Sequence, residues 1–271
     1  MDTPAIIITH TTGTTTTSSL NPVNKNCKAL ENTTCLHCGS VVKHQYCSHC
    51  GQNIATSRFR LRHVFSKDLV HGLYNMSPGI GNTLLCLVTR PGHAVRDYIF
   101  GKRANFLNYI SFFLLAITVL HFIHEYSHIQ IEQLFVTRIN RSILSFHDRI
   151  ISNNSKLFAF LMTPVVSVVS YFVFKKAHQN FAEHLVLNIF KTGAAMLLMS
   201  FFYMLAIVWP NHIFLKIAYV SFFLLQLAYE AIFYYQYFSI FNYTKKDLVV
   251  RSVLVAVFSI ALLIDKWVIM F

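Results

Sequence analysis

The feature that most constrains this chain is a set of apolar runs long enough to cross a bilayer. Crossing takes roughly 18 to 25 helical residues. The bilayer core offers no water to exposed backbone groups, so the spanning segments must be helices or a closed barrel. Five segments qualify as helices: about 106–123, 157–174, 190–209, 213–240 and 248–271. The second is stopped by Lys175-Lys176 and the third by Pro210, and the fifth is interrupted by Asp265-Lys266. Composition agrees, because only 13% of the 271 residues are charged, about half the share of a soluble domain. The expected class is an all-α polytopic membrane protein of about five spans, occupying residues 106–271.

The spans are preceded by three different textures. Residues 1–30 are Thr-rich, with one short apolar run, "AIII". Such a stretch lacks the basic start of a signal peptide and the apolar content to fold, so it reads as a disordered tail.

Residues 31–55 contain "CLHCGSVVKHQYCSHCG". Cys35 with Cys38, and Cys47 with Cys50, form two C-x-x-C pairs, each followed by a glycine, Gly39 or Gly51. Cysteines three apart can put both sulfurs on one ion, and the glycine takes the positive φ that closes the turn. Four such sulfurs make a closed tetrahedral Zn²⁺ site with no open position for catalysis. The expected cofactor is therefore structural zinc on Cys35, Cys38, Cys47 and Cys50. His37 and His49 are alternative ligands, and two disulfides or a metal-free loop are the competing readings. "SVVKHQY" is long enough for a short β-hairpin between the pairs. Cys27 reads as a tail thiol and Cys86 as a core or interface residue.

Residues 56–105 are basic and amphipathic. Leu61, Val64, Phe65, Leu69 and Leu73 recur near helical spacing. Leu84, Leu85, Leu87 and Val88 form a second patch, and Pro78-Gly79 and Pro91-Gly92 punctuate the segment. None of these runs can span. Two or three short helices against the membrane surface are expected, with Arg and Lys reaching anionic lipid head groups. A nucleic-acid face is the rival reading of the +12 net charge. No recognition-helix pattern supports it, so no nucleic acid is expected as a partner.

The order of motifs resembles a known family. A Cys₄ segment ending "YCSHCGQ" is followed by "TLLCL" (Thr83 to Leu87), "RPG" (Arg90 to Gly92) and "RDYIFGKR" (Arg96 to Arg103), then by membrane helices and "FAEHLVLNIF" (Phe181 to Phe190). This is similar to domain-of-unknown-function family 3667, bacterial multi-pass membrane proteins with an N-terminal zinc ribbon. The likeness covers residues 33–110 and, more loosely, the "EHLV" segment. It implies the architecture and carries no biochemical activity. Members often have Pro shortly after G-K-R, where this chain has Asn108, so the start of the first span is expected to differ.

Basic residues set the expected orientation. With a cytoplasmic N-terminus, 17 Lys and Arg fall inside and 6 outside, as the positive-inside rule requires. The inside count includes Lys175, Lys176, Lys191, Lys245, Lys246 and Arg251. Reduced thiols point the same way. The expected location is thus a bacterial inner (cytoplasmic) membrane, with the zinc ribbon in the cytoplasm. The outer loop 125–156 has Ile131, Phe135, Ile139, Ile143, Phe146 and Ile150 near helical spacing, which predicts an interfacial amphipathic helix.

Polar groups inside the spans are functional candidates. Glu230 lies in the fourth span, with Gln226 one turn before it and Tyr219, Tyr234 and Tyr237 near the same face. His184, Asn188 and Lys191 share one helix face in the sequence entering the third span. Lys191 can pair with Glu230, but snorkelling to the cytoplasmic interface is the simpler expectation. The polar set reads as a hydrogen-bonded bundle interface or as an ion or proton pathway.

"HEYSH" (His124 to His128) matches H-E-x-x-H, in which two histidines hold a metal and Glu125 would act as base. A catalytic zinc needs a third ligand, and Asp265 or His147 are the candidates. No third-ligand motif follows, so His124, Glu125 and His128 read as polar groups at a helix end. The expected function is a non-enzymatic adaptor or assembly factor whose ribbon docks a protein partner. A small transporter or channel subunit using Glu230, and an outer-face metallopeptidase using HEYSH, are the alternatives.

Overall fold

The computed structural model describes residues 33–42, 44–53, 59, 79–127 and 155–263. Among them are two short strands, β1 (Thr33–Thr34) and β2 (Val41–Val42), and seven α-helices. The helices are α1 (Ile80–Thr89), α2 (Pro91–Ile99), α3 (Tyr109–Ser127), α4 (Ser155–Val173), α5 (Phe181–Val208), α6 (His212–Phe238) and α7 (Lys245–Leu263). The tail 1–30, the first collar patch from Leu61 to Leu73 and the outer segment from Ile131 to Ile150 lie outside the described residues.

Three helices, α3, α5 and α6, are long and apolar enough to cross a membrane. In α4 the apolar stretch runs from Leu161 to Val173. Lys245, Lys246, Asp247 and Arg251 crowd the first two turns of α7 and dilute its hydropathy. The helix nonetheless packs into the bundle through Leu248, Ser252, Val255, Ala256, Ser259 and Ile260, all buried. These positions follow the three-four spacing of one helix face.

Helix α5 is the axis of the bundle. Every residue from Ala182 to Gly193 is buried, the pattern of a helix covered on all sides. Its start is set by a capping box. The Asn180 side chain accepts from Glu183 N at 2.9 Å, and Glu183 Oε2 accepts from Asn180 N at 3.0 Å. The third span therefore begins near Phe181, about two and a half turns before the expected Phe190. Helix α4 meets α5 through Thr163, Val166, Ser167 and Ser170, all buried, and small side chains of this kind let membrane helices approach closely. Ser167 and Ser170 donate back to Thr163 O and Ser167 O, so their hydroxyls are satisfied within the helix.

Helix α2 is seated on α6 rather than on open membrane. Arg90-Pro91-Gly92 explains how: Pro91 opens the helix, where its missing N–H costs nothing. A Cβ on Gly92 would lie 2.2 Å from Phe233 O and 2.5 Å from Tyr237 N, so only glycine lets the two backbones meet. Gly92 N donates to Gln236 Oε1, and Arg96 reaches Gln236 O and Ser239 Oγ. Val95, Tyr98 and Ile99 belong to the main core. The apolar face that was expected to meet lipid is here matched to protein. On α1, Leu85 and Val88 remain 63% and 79% exposed, so part of the collar keeps a free apolar edge.

Thr83 locks α1 to the start of α3. Its hydroxyl donates to Gly79 O at 2.8 Å and accepts from Leu107 N at 2.8 Å. Asn108 accepts from Ile110 N through its side chain at 3.0 Å. Capping does there what a rigid proline would do by fixing φ.

Candidate functional site

The four cysteines converge. All four Sγ atoms lie within 4.8 Å of one another, and this is the one group of metal-ligating side chains of its kind among the described residues. Cys35 and Cys50 sulfurs are 3.6 Å apart, and Cys38 and Cys47 sulfurs 3.5 Å. A disulfide needs about 2.05 Å, so these are free thiols. A tetrahedral ion with bonds of about 2.3 Å to sulfur has sulfur–sulfur edges near 3.8 Å. The donor set and its spacing fit a metal ion.

The two halves are built alike. Cys35 N donates to Ser40 O and Gly39 N to Cys35 O; Cys47 N donates to Gln52 O and Gly51 N to Cys47 O. Gly39 and Gly51 have φ of 75° and 71°, the left-handed turn that the C-x-x-C-G spacing predicts. The strand pairing differs from expectation. Among the described residues, the strand pairing reaches beyond "SVVKHQY": β1 pairs antiparallel with β2 across the first knuckle. A Tyr46–Asn53 bridge closes the second knuckle at the equivalent place. The pairing follows the knuckle turns, which already bring their own flanks side by side.

Ser40 side-chain and backbone hydrogen bonds lower the Cys38 thiol to about 6, whereas desolvation pushes Cys50 up to about 12. Four sulfurs this close cannot all ionise together without a cation, and a divalent ion would remove that conflict. His37 and His49 are not part of the cluster.

The knuckles sit on the helix bundle. Gln52, 5% exposed, donates to Gly101 O at 2.6 Å and accepts from Arg103 N at 3.1 Å. These are the residues of "GKR". The Arg103 guanidinium stacks 3.9 Å over Phe59 and its Nε donates to Tyr98 O. Asn180 Nδ2 donates to Phe59 O at 2.8 Å. The knuckles, the α2–α3 loop and the turns before α5 and α7 thus gather at one end of the bundle. Lys102, Lys175, Lys176, Lys245 and Lys246 are exposed there.

A second polar group lies within the helices. Lys191 Nζ is 3.1 Å from Glu230 Oε2, with the two side chains 1% and 0% exposed. This overturns the snorkelling expectation. Lys191 is in the third turn of α5, within the stretch buried on every side, and its ammonium faces protein groups instead of an open end of the bundle. It also donates to Ser259 Oγ on α7. Gln226 Nε2 approaches Glu230 Oε1 at 3.5 Å.

His184 and Asn188, on the same face of α5, meet Ser170 Oγ at 2.9 and 3.1 Å. Tyr234 donates to Asn188 Oδ1. Tyr237 accepts from Gln179 nearer the helix ends, and Tyr219 packs on Phe202 in a separate apolar cluster. Glu183, one residue before His184, serves in the capping box with Asn180. Ser170 and Ser259 escaped the sequence reading because a lone serine in an apolar run carries no signal of its partner. Gln52 was visible only as the last letter of a motif.

His124 and Glu125 lie in the last turns of α3, at the opposite end from the cysteines; His128, His147 and Asp265 fall outside the described residues. Glu125 Oε1 is 3.8 Å from His121 Nδ1 and 3.7 Å from His124 Nδ1. His124 packs edge-on against Tyr203. Glu125 also borders a shallow, open apolar groove lined by Phe122, Ile123, Tyr126, Met204 and Ile207.

No curated protein and no solved structure matches the chain significantly. The family model described as Protein of unknown function (DUF3667) matches residues 78–120, so the segment from α1 through most of α3 carries the signature of the family that "TLLCL", "RPG" and "RDYIFGKR" resemble.

Proposed function

We propose that this protein is a five-pass bacterial inner-membrane adaptor or assembly factor whose cytoplasmic Cys₄ zinc ribbon presents a docking face to a protein partner. The observation that carries this reading is the cysteine cluster seated on the helix bundle by Gln52. Four thiolates leave no open coordination position, so the ion is structural. Helices α4 and α7 complete the five spans, α4 packing on α5 and α7 on α6 and α4. Exposed lysines cluster at the ribbon end, which supports a cytoplasmic N-terminus and contact with anionic head groups. Val41 and Tyr46 are 59% and 57% exposed on the ribbon and offer it an apolar contact surface.

Metal analysis of the purified protein tests the centre. One zinc per chain is expected, falling to none in Cys47→Ser while membrane insertion persists. Unchanged metal content in Cys47→Ser would refute the Cys₄ assignment. Crosslinking in cells tests the adaptor role: a partner captured by wild type should be lost when residues 33–53 are deleted.

The buried Lys191–Glu230 pair favours a second reading, a transporter or channel subunit, because intramembrane charges commonly mark ion paths. Ion flux in liposomes that disappears in Glu230→Gln would establish it, and absence of flux would leave the pair a structural contact.

A further inference from the structure

We propose that Gln52 is a positioning residue that couples metal occupancy of the knuckles to the seating of the ribbon on the helix bundle. The inference rests on the zinc reading above and adds a role for a residue that is not a ligand. Gln52 belongs to both parts at once. Its carbonyl accepts from Cys47 N and so closes the second knuckle. Its side-chain amide pairs with Gly101 O and Arg103 N, as one backbone strand would pair with another. The loop it grips is shaped to receive it. Gly101 has φ of 107°, and a Cβ there would lie 2.7 Å from Leu36 Cδ1 in the first knuckle.

From the loop the contact runs inward. Arg103 stacks on Phe59, and Tyr98 meets Phe190 of α5 edge-on at 5.0 Å.

Among the described residues the ribbon has a small core of its own. Its buried core is Cys35, Val42 and Cys47, with Cys38 and Cys50 packed against them, so most of that core is ligand. A unit of this size folds on its metal. Without the ion the Cys47–Gln52 turn has no fixed geometry, and the Gln52 amide loses its aim at the loop. Coupling between sites is reciprocal. Breaking the seat must therefore weaken metal binding, although no ligand is touched.

The test uses the full-length protein in lipid nanodiscs, with zinc affinity read by competition against a chromophoric chelator. Gln52→Ala breaks the seat from the ribbon side and Gly101→Ala from the loop side. Both are expected to bind zinc about tenfold more weakly, the weight of one to two net hydrogen bonds. Hydrogen exchange at residues 101–107 should rise in wild type when zinc is removed. Unaltered affinity in both variants would overturn the coupling. So would weakening in Gln52→Ala alone, because the defect would then be local to the ribbon, and so would exchange at 101–107 that ignores zinc. A wild type that holds no zinc would instead sink the metal-centre reading beneath it.

Discussion

Replacing Lys191 by Met should destabilise the bundle strongly, because it breaks a buried ion pair. The substitution keeps the length of the stem and deletes the ammonium. Glu230 is then left at 0% exposure without its cation, whose nitrogen lies 3.1 Å away in the intact protein. At an effective dielectric of about 20, two unit charges at that distance attract by roughly 5 kcal/mol. Ser259 Oγ loses the same donor. Gln226, at 3.5 Å from the other carboxylate oxygen, is too distant to replace it. Breaking a buried pair in this way typically costs about 3–5 kcal/mol. Glu230→Leu should cost a similar amount by stranding the ammonium.

The double variant Lys191→Met, Glu230→Leu should behave differently. Removing both charges also removes the cost of burying them, so its stability should return to within about 1 kcal/mol of wild type or exceed it. The assay is reversible unfolding in mixed micelles, run as a double-mutant cycle. The expected coupling energy is several kcal/mol, far above the roughly 0.5 kcal/mol scatter of independent sites. Single variants as stable as wild type, or a double variant whose loss equals the sum of the two, would refute the pairing. A stable double variant would also separate folding from function, because any phenotype it retained would belong to the charges themselves.

Gly92→Ala should cost about 1–3 kcal/mol or more through overpacking, since the new methyl meets the α6 backbone at Phe233 and Tyr237; the same unfolding assay measures it, and a neutral result would mean that α2 can slide on α6. Thr83→Val keeps the shape but leaves Leu107 N buried without its acceptor, with an expected loss of about 1–3 kcal/mol and faster hydrogen exchange at Leu107. Asn180→Ala removes the capping box and the contact to Phe59 O, with an expected loss of about 1 kcal/mol, visible as fraying of the first turn of α5 in exchange measurements.

The parts of the fold legible in the sequence were those encoded by local pattern. C-x-x-C-G predicted the two turns and their positive φ because that conformation is set within five residues. The apolar runs located α3, α5 and α6 because hydropathy is additive along a span. What escaped was long-range. The start of α5 was misplaced because "AEHLVLN" looks interfacial, whereas the capping box at Asn180 and partners from α4 and α6 draw it into the core. Lys191 was misread for the same reason. The depth of a side chain depends on neighbours 39 and 68 residues away, and no window on the chain contains them. Among the described residues the pairing runs across the knuckles rather than between them, because turn geometry there outranks strand propensity in a two-residue strand.

The segment that matches the family model is also the one that carries force between the cysteines and the spans. Residues 78–120 include Thr83, which holds α1 to α3, and Gly92, which holds α2 to α6. They also include Gly101 and Arg103, which receive Gln52. Each of these contacts is made by backbone or by a side chain with one workable geometry, so few residue types can serve. The exposed ribbon residues Val41 and Tyr46 lie outside the matched segment. If the adaptor reading holds, the seat is the shared machinery and the ribbon surface is the part free to specify a partner. Exchanging residues 40–46 with those of another protein that matches the same family model should then move the crosslinked partner without changing zinc content or bundle stability. A chimera that keeps the original partner would place recognition elsewhere, on the collar edge formed by Leu85 and Val88.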